Sequence, residues 1–127
     1  MKIAALICRI LLALIFLLFG SNVFFHFIPM QPMSGTAGDF TTALLVSHYV
    51  YVVGVLEVIP AILLLVNRYV PLALTLLAPV IVNIFFFHVF MSPAGLPMAI
   101  IVIILWIIIA ISVKSAFAGL FQQKVSS

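Results

Sequence analysis

Four stretches of this chain, residues 3–27, 40–66, 70–91 and 97–117, are each long and apolar enough to cross a lipid bilayer. A helix spanning ~30 Å of hydrocarbon needs about 20 residues, and only helices and closed barrels satisfy every backbone polar group there. The expected fold is therefore all-α, an integral membrane four-helix antiparallel bundle forming one domain over residues 1–127. Composition agrees: 68% of the 127 residues are apolar and 6% are charged. A soluble domain carries roughly 25% charged residues, and disordered chains are poor in apolar ones.

The breaks between the spans carry loop chemistry. Residues 28–38 hold Pro29, Pro32, Gly35 and Gly38. Asp39 stands where a helix N-cap is expected, with Thr41 and Thr42 in the following turn. Asn67-Arg68-Tyr69 reads as a short turn, and Pro71 suits the first turn of the next helix. Residues 92–97 form another turn, and the residues from Gly119 onward read as a tail. No internal repeat is evident.

Four of the five basic residues predict the orientation. Lys2 precedes the first span, Arg68 lies between the second and third, and Lys114 and Lys124 close the fourth. The other two loops carry no Lys or Arg, so both termini are expected in the cytoplasm, in the cell's inner (plasma) membrane. The first span has a basic start but no Ala-x-Ala site, and its apolar run is too long for a cleaved signal peptide. The basic residues, with Arg9, are scattered, which argues against nucleic acid as a partner. Cys8 is the single cysteine, so there is no CxxC motif and no thiol chemistry internal to the chain.

Ionisable residues inside a bilayer are costly and usually face the protein interior. Arg9 lies ~10 Å and Glu57 ~14 Å from the cytoplasmic end of their spans at 1.5 Å per residue. The matching depths predict an ion pair between the first two helices. At 100° per residue, Arg9 shares a face with Ala5, Ala13, Phe16 and Gly20. Glu57 shares one with Ala43, Val46, Val50, Val53, Gly54 and Ala61. Small residues on both faces would let the backbones approach. Such a pair either fixes helix register or holds a ligand headgroup or relays protons; the remaining alternative is no pair at all, with Arg9 snorkelling to the headgroups and Glu57 protonated.

A second polar group lies in the outer half. Asn22 and His26 share one face of the first helix, Asn83 and His88 stand near the outer end of the third, and His48 sits in the second. His48 and Glu57 point to opposite sides of their helix. Phe24, Phe25, Phe27, Phe40, Phe85, Phe86, Phe87 and Phe90 surround this region. An aromatic pocket bearing histidines or amides could hold a quinone ring. Interfacial packing is the plainer alternative. Haem and Cu(I) have weaker support: no HxxxH or ExxH spacing occurs, and Met30, Met33, Met91 and Met98 sit in apolar loop surroundings. No catalytic residue, metal site or covalently bound cofactor is expected, and the chain by itself does not read as an enzyme.

These residues also carry a family likeness. The chain resembles the DoxX-like family of small four-helix membrane proteins. The likeness rests on the first-helix stretch from Arg9 to Gly20, on Gly54-Val-Leu-Glu57, on residues 70–88 with Asn83 and His88, and on the Ser92-Pro-Ala-Gly-Leu-Pro97 turn. The stretch over residues 70–88 is its most specific part. Many family members carry a Lys three residues after the first-helix glycine, whereas this chain has Val23, beside Asn22. The resemblance implies functional weight at Arg9, Glu57, Asn83 and His88. It also implies an accessory role beside a membrane redox complex, since the family takes its name from a subunit linked to thiosulfate:quinone oxidoreduction. A eukaryotic branch resembles assembly chaperones for ion-channel receptors. Two alternative readings stand beside this one: a membrane-protein assembly factor or helix-binding module, and a lipid or isoprenoid carrier whose Arg9–Glu57 pair holds a headgroup. The ligands expected are a quinone or a lipid. The expected partners are the lipid bilayer and a redox protein, another membrane protein or a second copy of the chain.

Overall fold

The computed structural model describes residues 2–29 and 33–124. Five α-helices follow in order: α1 (Lys2–Phe25), α2 (Gly35–Val46), α3 (Val50–Leu65), α4 (Val70–Phe90) and α5 (Leu96–Ser112). Short 3-10 segments cover Pro93–Gly95 and Lys114–Phe121. No strand occurs among the described residues. Lys2–Phe25, Val70–Phe90 and Pro93–Ser112 are each long and apolar enough to cross a membrane, and α2 with α3 supplies a fourth segment only as a bent pair.

That bent pair corrects the expectation of one continuous helix over residues 40–66. The chain turns by 85° between α2 and α3. The break falls at Ser47-His48-Tyr49, where no Gly or Pro marks it. Ser47 Oγ donates to the Leu44 carbonyl at 3.3 Å and accepts from the Tyr49 amide at 3.2 Å. His48 takes a left-handed backbone, φ 63°, a region in which histidine is enriched over most side chains. Serine side chains that bond nearby backbone groups compete with the helical ladder, and here they win. Alone, α3 is ~24 Å long at 1.5 Å per residue, short of the ~30 Å hydrocarbon core.

Helix boundaries elsewhere follow local chemistry. Asp39 is not the N-cap; α2 begins at Gly35 behind Ser34, whose extended backbone occupies the cap position. The start moves because Gly35 itself adopts φ 66° and lets the chain enter the helix earlier. The turn expected at residues 67–69 is present, and Asn67 and Tyr69 are both left-handed there. The fourth apolar run stops being α-helical at Ser112 rather than at residue 117: the Ser112 hydroxyl donates back to the Ile109 carbonyl at 2.5 Å, and tighter 3-10 turns follow. Of the expected outer loop, residues 30–32 lie outside the described residues.

In the packing, α1 lies against α3 and α5, and α4 lies against the same two helices. Their shared core holds Leu12, Phe16, Leu64, Leu74, Leu77 and Ile109. The α1–α3 seam is the most extensive, and small residues make it so. Ala13 and Ala61 are fully buried. A Cβ on Gly20 would stand 2.9 Å from Val58 Cγ2 and 3.0 Å from Glu57 Cβ; one on Gly54 would stand 2.9 Å from the Phe24 ring. Each helix thus offers a glycine to a bulky side chain of the other. At the end of the helices away from the N-terminus, α2 is held to α4 by Phe40 on Phe87, ring centroids 5.5 Å apart.

A Gly20→Val substitution should wedge α1 from α3 and cost about 1–3 kcal/mol, as overpacking of a close seam does. Gly119→Val, where nothing lies within 4 Å, should leave stability unchanged. Thermal unfolding in mild detergent compares the two; equal midpoints would contradict the seam.

Candidate functional site

The expected Arg9–Glu57 ion pair is not formed. Arg9 Nη1 donates to the Leu64 carbonyl, and to the Leu65 carbonyl at 3.4 Å. Those are the last carbonyls of α3, which lack a full set of intrahelical donors, and a cation is favoured at that end of a helix. Glu57 instead lies beside Gly20, eleven positions beyond Arg9 and so ~16 Å along α1. The depth estimate failed because it treated the ends of the two spans as level. Arg9 is level with the end of α3, so residues 2–8 run on past it. Glu57 is buried, with 9% of its surface exposed, within the glycine-lined seam.

The residues expected in the outer half are also engaged with backbone. The Asn22 side chain accepts from the Ile28 amide at 2.7 Å and donates to the Ile28 carbonyl at 3.3 Å, which ties the chain leaving α1 to its last turn. His26 is exposed in a left-handed backbone, φ 54°, its amide on the Asn22 carbonyl at 2.9 Å. His88 Nδ1 lies 3.1 Å from the Ser92 carbonyl oxygen, and its ring fills the space that a side chain at Gly95 would need. Asn83 is exposed and donates to the Pro79 carbonyl one turn earlier, at 2.8 Å.

His48 is different. It is exposed at the α2–α3 break, and its ring lies 5.9 Å from that of Tyr51, which in turn lies 5.5 Å from Phe24, both pairs stacked. This file of three exposed rings has aromatic faces and a tyrosine hydroxyl open to the surroundings. Tyr51 escaped the sequence reading because it depends on the register of the α1–α3 seam, which sets Phe24 against Gly54 and so beside the start of α3.

Two clefts open on the helices, and none of Asn22, His26, His48, Asn83 and His88 lines either one. One, of about 360 Å³, lies between the start of α1, the α3–α4 turn and the end of α5, with Lys2, Arg9, Asn67 and Ser112 on its wall. The other, of about 470 Å³, is almost wholly apolar and lies between α4, α5 and residues 114–121. Trp106 faces it and ties the two helices together by donating from Nε1 to the Leu74 carbonyl at 2.9 Å. No three His, Cys, Asp or Glu side chains come together to hold a metal among the described residues. Met33 and Met98 are exposed and Met91 is half-buried, while Met30 lies outside the described residues.

A DoxX family model matches residues 4–89, about two thirds of the chain. The chain belongs to the DoxX family. The matched segment of this DoxX protein contains Arg9, Gly20, Glu57, Asn83 and His88, and α5 lies beyond it. No curated protein and no solved structure matches the chain. Val23, where many family members have Lys, sits in the seam, its Cγ1 3.2 Å from where a Gly54 Cβ would stand.

Because Arg9 serves the end of α3 rather than Glu57, a double-mutant cycle on Arg9→Leu and Glu57→Gln should give a coupling within about 0.5 kcal/mol. Arg9→Leu alone should cost about 1.5–3 kcal/mol, the range for a hydrogen bond from a charged donor. Denaturant titration in detergent reads both; a coupling of several kcal/mol would restore the ion pair.

Proposed function

We propose that this DoxX protein is a non-catalytic accessory subunit of a quinone-linked membrane redox system. The observation that carries the reading is the exposed His48–Tyr51–Phe24 file at the α2–α3 elbow. A quinone head is flat, apolar on its faces and carries two carbonyl acceptors. Aromatic faces take the ring, and the Tyr51 hydroxyl or an imidazole N–H of His48 donates to a carbonyl. The name-giving association of the family with quinone chemistry supports the same assignment. With one cysteine in the chain, there is no dithiol to pass electrons, so a partner protein supplies the redox centre.

The same proposal includes the topology. The protein crosses the cell's inner membrane as four antiparallel spans in one domain, α2 with α3 serving as the second, with both termini in the cytoplasm. The distribution of Lys2, Arg68, Lys114 and Lys124 supports this orientation. The 85° bend then sets the elbow at the outer boundary, where a quinone head would arrive.

Short-chain benzoquinone binding to purified protein in detergent should weaken roughly fivefold in Tyr51→Ala and in His48→Ala, the scale of one aromatic contact. Asn83→Ala, whose amide is engaged with Pro79, should bind as the parent does. Unchanged affinity in both elbow variants removes the site. If no quinone binds and crosslinking in native membranes recovers a specific partner, the assembly-factor reading replaces this one. For topology, Ser34→Cys in a Cys8→Ala background should react with a membrane-impermeant maleimide on intact cells, and Lys124→Cys should react only after permeabilisation. The reverse pattern overturns the orientation.

A further inference from the structure

We infer that the cleft between the start of α1, the α3–α4 turn and the end of α5 is a binding site for the headgroup of a phospholipid with a net negative charge. The site is independent of the quinone reading, which concerns the opposite end of the helices. The cleft measures about 360 Å³, within the ~300–1,000 Å³ range of ligand pockets. Lys2 and Arg9 both line it. The chain has two acidic residues, Asp39 and Glu57, and neither lines the cleft, so the side-chain charge on its wall is positive.

The donors are available. A guanidinium has five N–H groups in a rigid fork, and the contacts of Arg9 with the Leu64 and Leu65 carbonyls run through Nη1. Nε and Nη2 are left for a ligand, and Arg9 is held in place by the contacts that it already makes. Lys2 adds an ammonium group, and the exposed Asn67 side chain lies at the rim. The Ser112 hydroxyl is already committed to the Ile109 carbonyl and shapes the wall instead. A phosphodiester matches this set: one negative charge, and two free oxygens that accept from the Arg9 fork and the Lys2 ammonium.

A lipid fits better than a soluble anion because of what flanks the cleft. Since α1 runs past the end of α3, its exposed Ile3, Leu6 and Ile7 form an apolar flank, with Leu6 also on the cleft wall. Acyl chains can lie along that flank while the phosphate sits inside. Basic pockets between membrane helices take anionic headgroups in this way.

The test uses the full chain in mild detergent, offered phosphatidylglycerol or phosphatidylcholine with identical acyl chains, and reads retained lipid by native mass spectrometry. Phosphatidylglycerol should be retained preferentially. Lys2→Gln should lower its retention about fivefold, the factor that one basic residue supplies near an anionic lipid. Ala5→Leu, which fills the wall while leaving Arg9 on α3, should lower it as far. Lys124→Gln, outside the cleft, should not. Thermal midpoints of all three variants confirm folding. Equal retention of the two lipids, or full retention in Lys2→Gln and Ala5→Leu, overturns the site. Displacement of the lipid by millimolar inorganic phosphate overturns its lipid character and reassigns the cleft to a soluble phosphate. Loss of quinone binding in the elbow variants with lipid retention intact, or the converse, separates this inference from the functional proposal.

Discussion

Inside hydrocarbon a backbone N–H or C=O has no water to turn to, and each one left unmet costs several kcal/mol. Helix interiors meet this demand by themselves. Helix ends do not, and this chain has few polar side chains with which to serve them. Five of those it has are found there. Arg9 serves the carbonyls that end α3, Asn22 the exit from α1, Ser47 the break before α3, His88 the Ser92 carbonyl, and Ser112 the end of α5. The left-handed residues His26, His48, Asn67 and Tyr69 stand at the same junctions. Scarce polarity in this protein is first a means of ending helices.

The placement of Arg9 follows from the α1–α3 seam. Gly20 and Gly54 accept Val58 and Phe24 at backbone distance, and Ala13 and Ala61 are fully buried toward the Arg9 end of the same helices. This register brings Arg9 level with Leu64 and sets it a long way from Glu57. It also leaves the first two turns of α1 unaccompanied by α3, and the basic cleft opens there. One steric fact, two glycines facing bulky neighbours, thus decides where the arginine acts and where a headgroup-sized space arises.

The elbow between α2 and α3 has the same origin at the opposite end. Ser47 and His48 end one helix, Tyr49 and Val50 begin another, and Phe40 on Phe87 holds the first against α4. The seam sets Tyr51 beside Phe24 and the bend adds His48, an aromatic file at a rim on which the functional proposal rests.

The sequence alone determined what the apolar runs demand: an all-helical membrane protein, the tight turn at residues 67–69, the small-residue faces of α1 and α3, and DoxX family membership. These follow from local composition and period, which act within one helix or one turn. Tertiary structure decided what depends on helices meeting. Hydropathy averaged over residues 40–66 could not register a three-residue polar break without Gly or Pro. Depth counted from span ends could not supply the register between α1 and α3, so it paired Arg9 with the wrong partner. Likewise Lys2, Asn67 and Ser112 come together from three distant parts of the chain, and no spacing in the sequence announces a cleft that exists only because one helix outruns its neighbour.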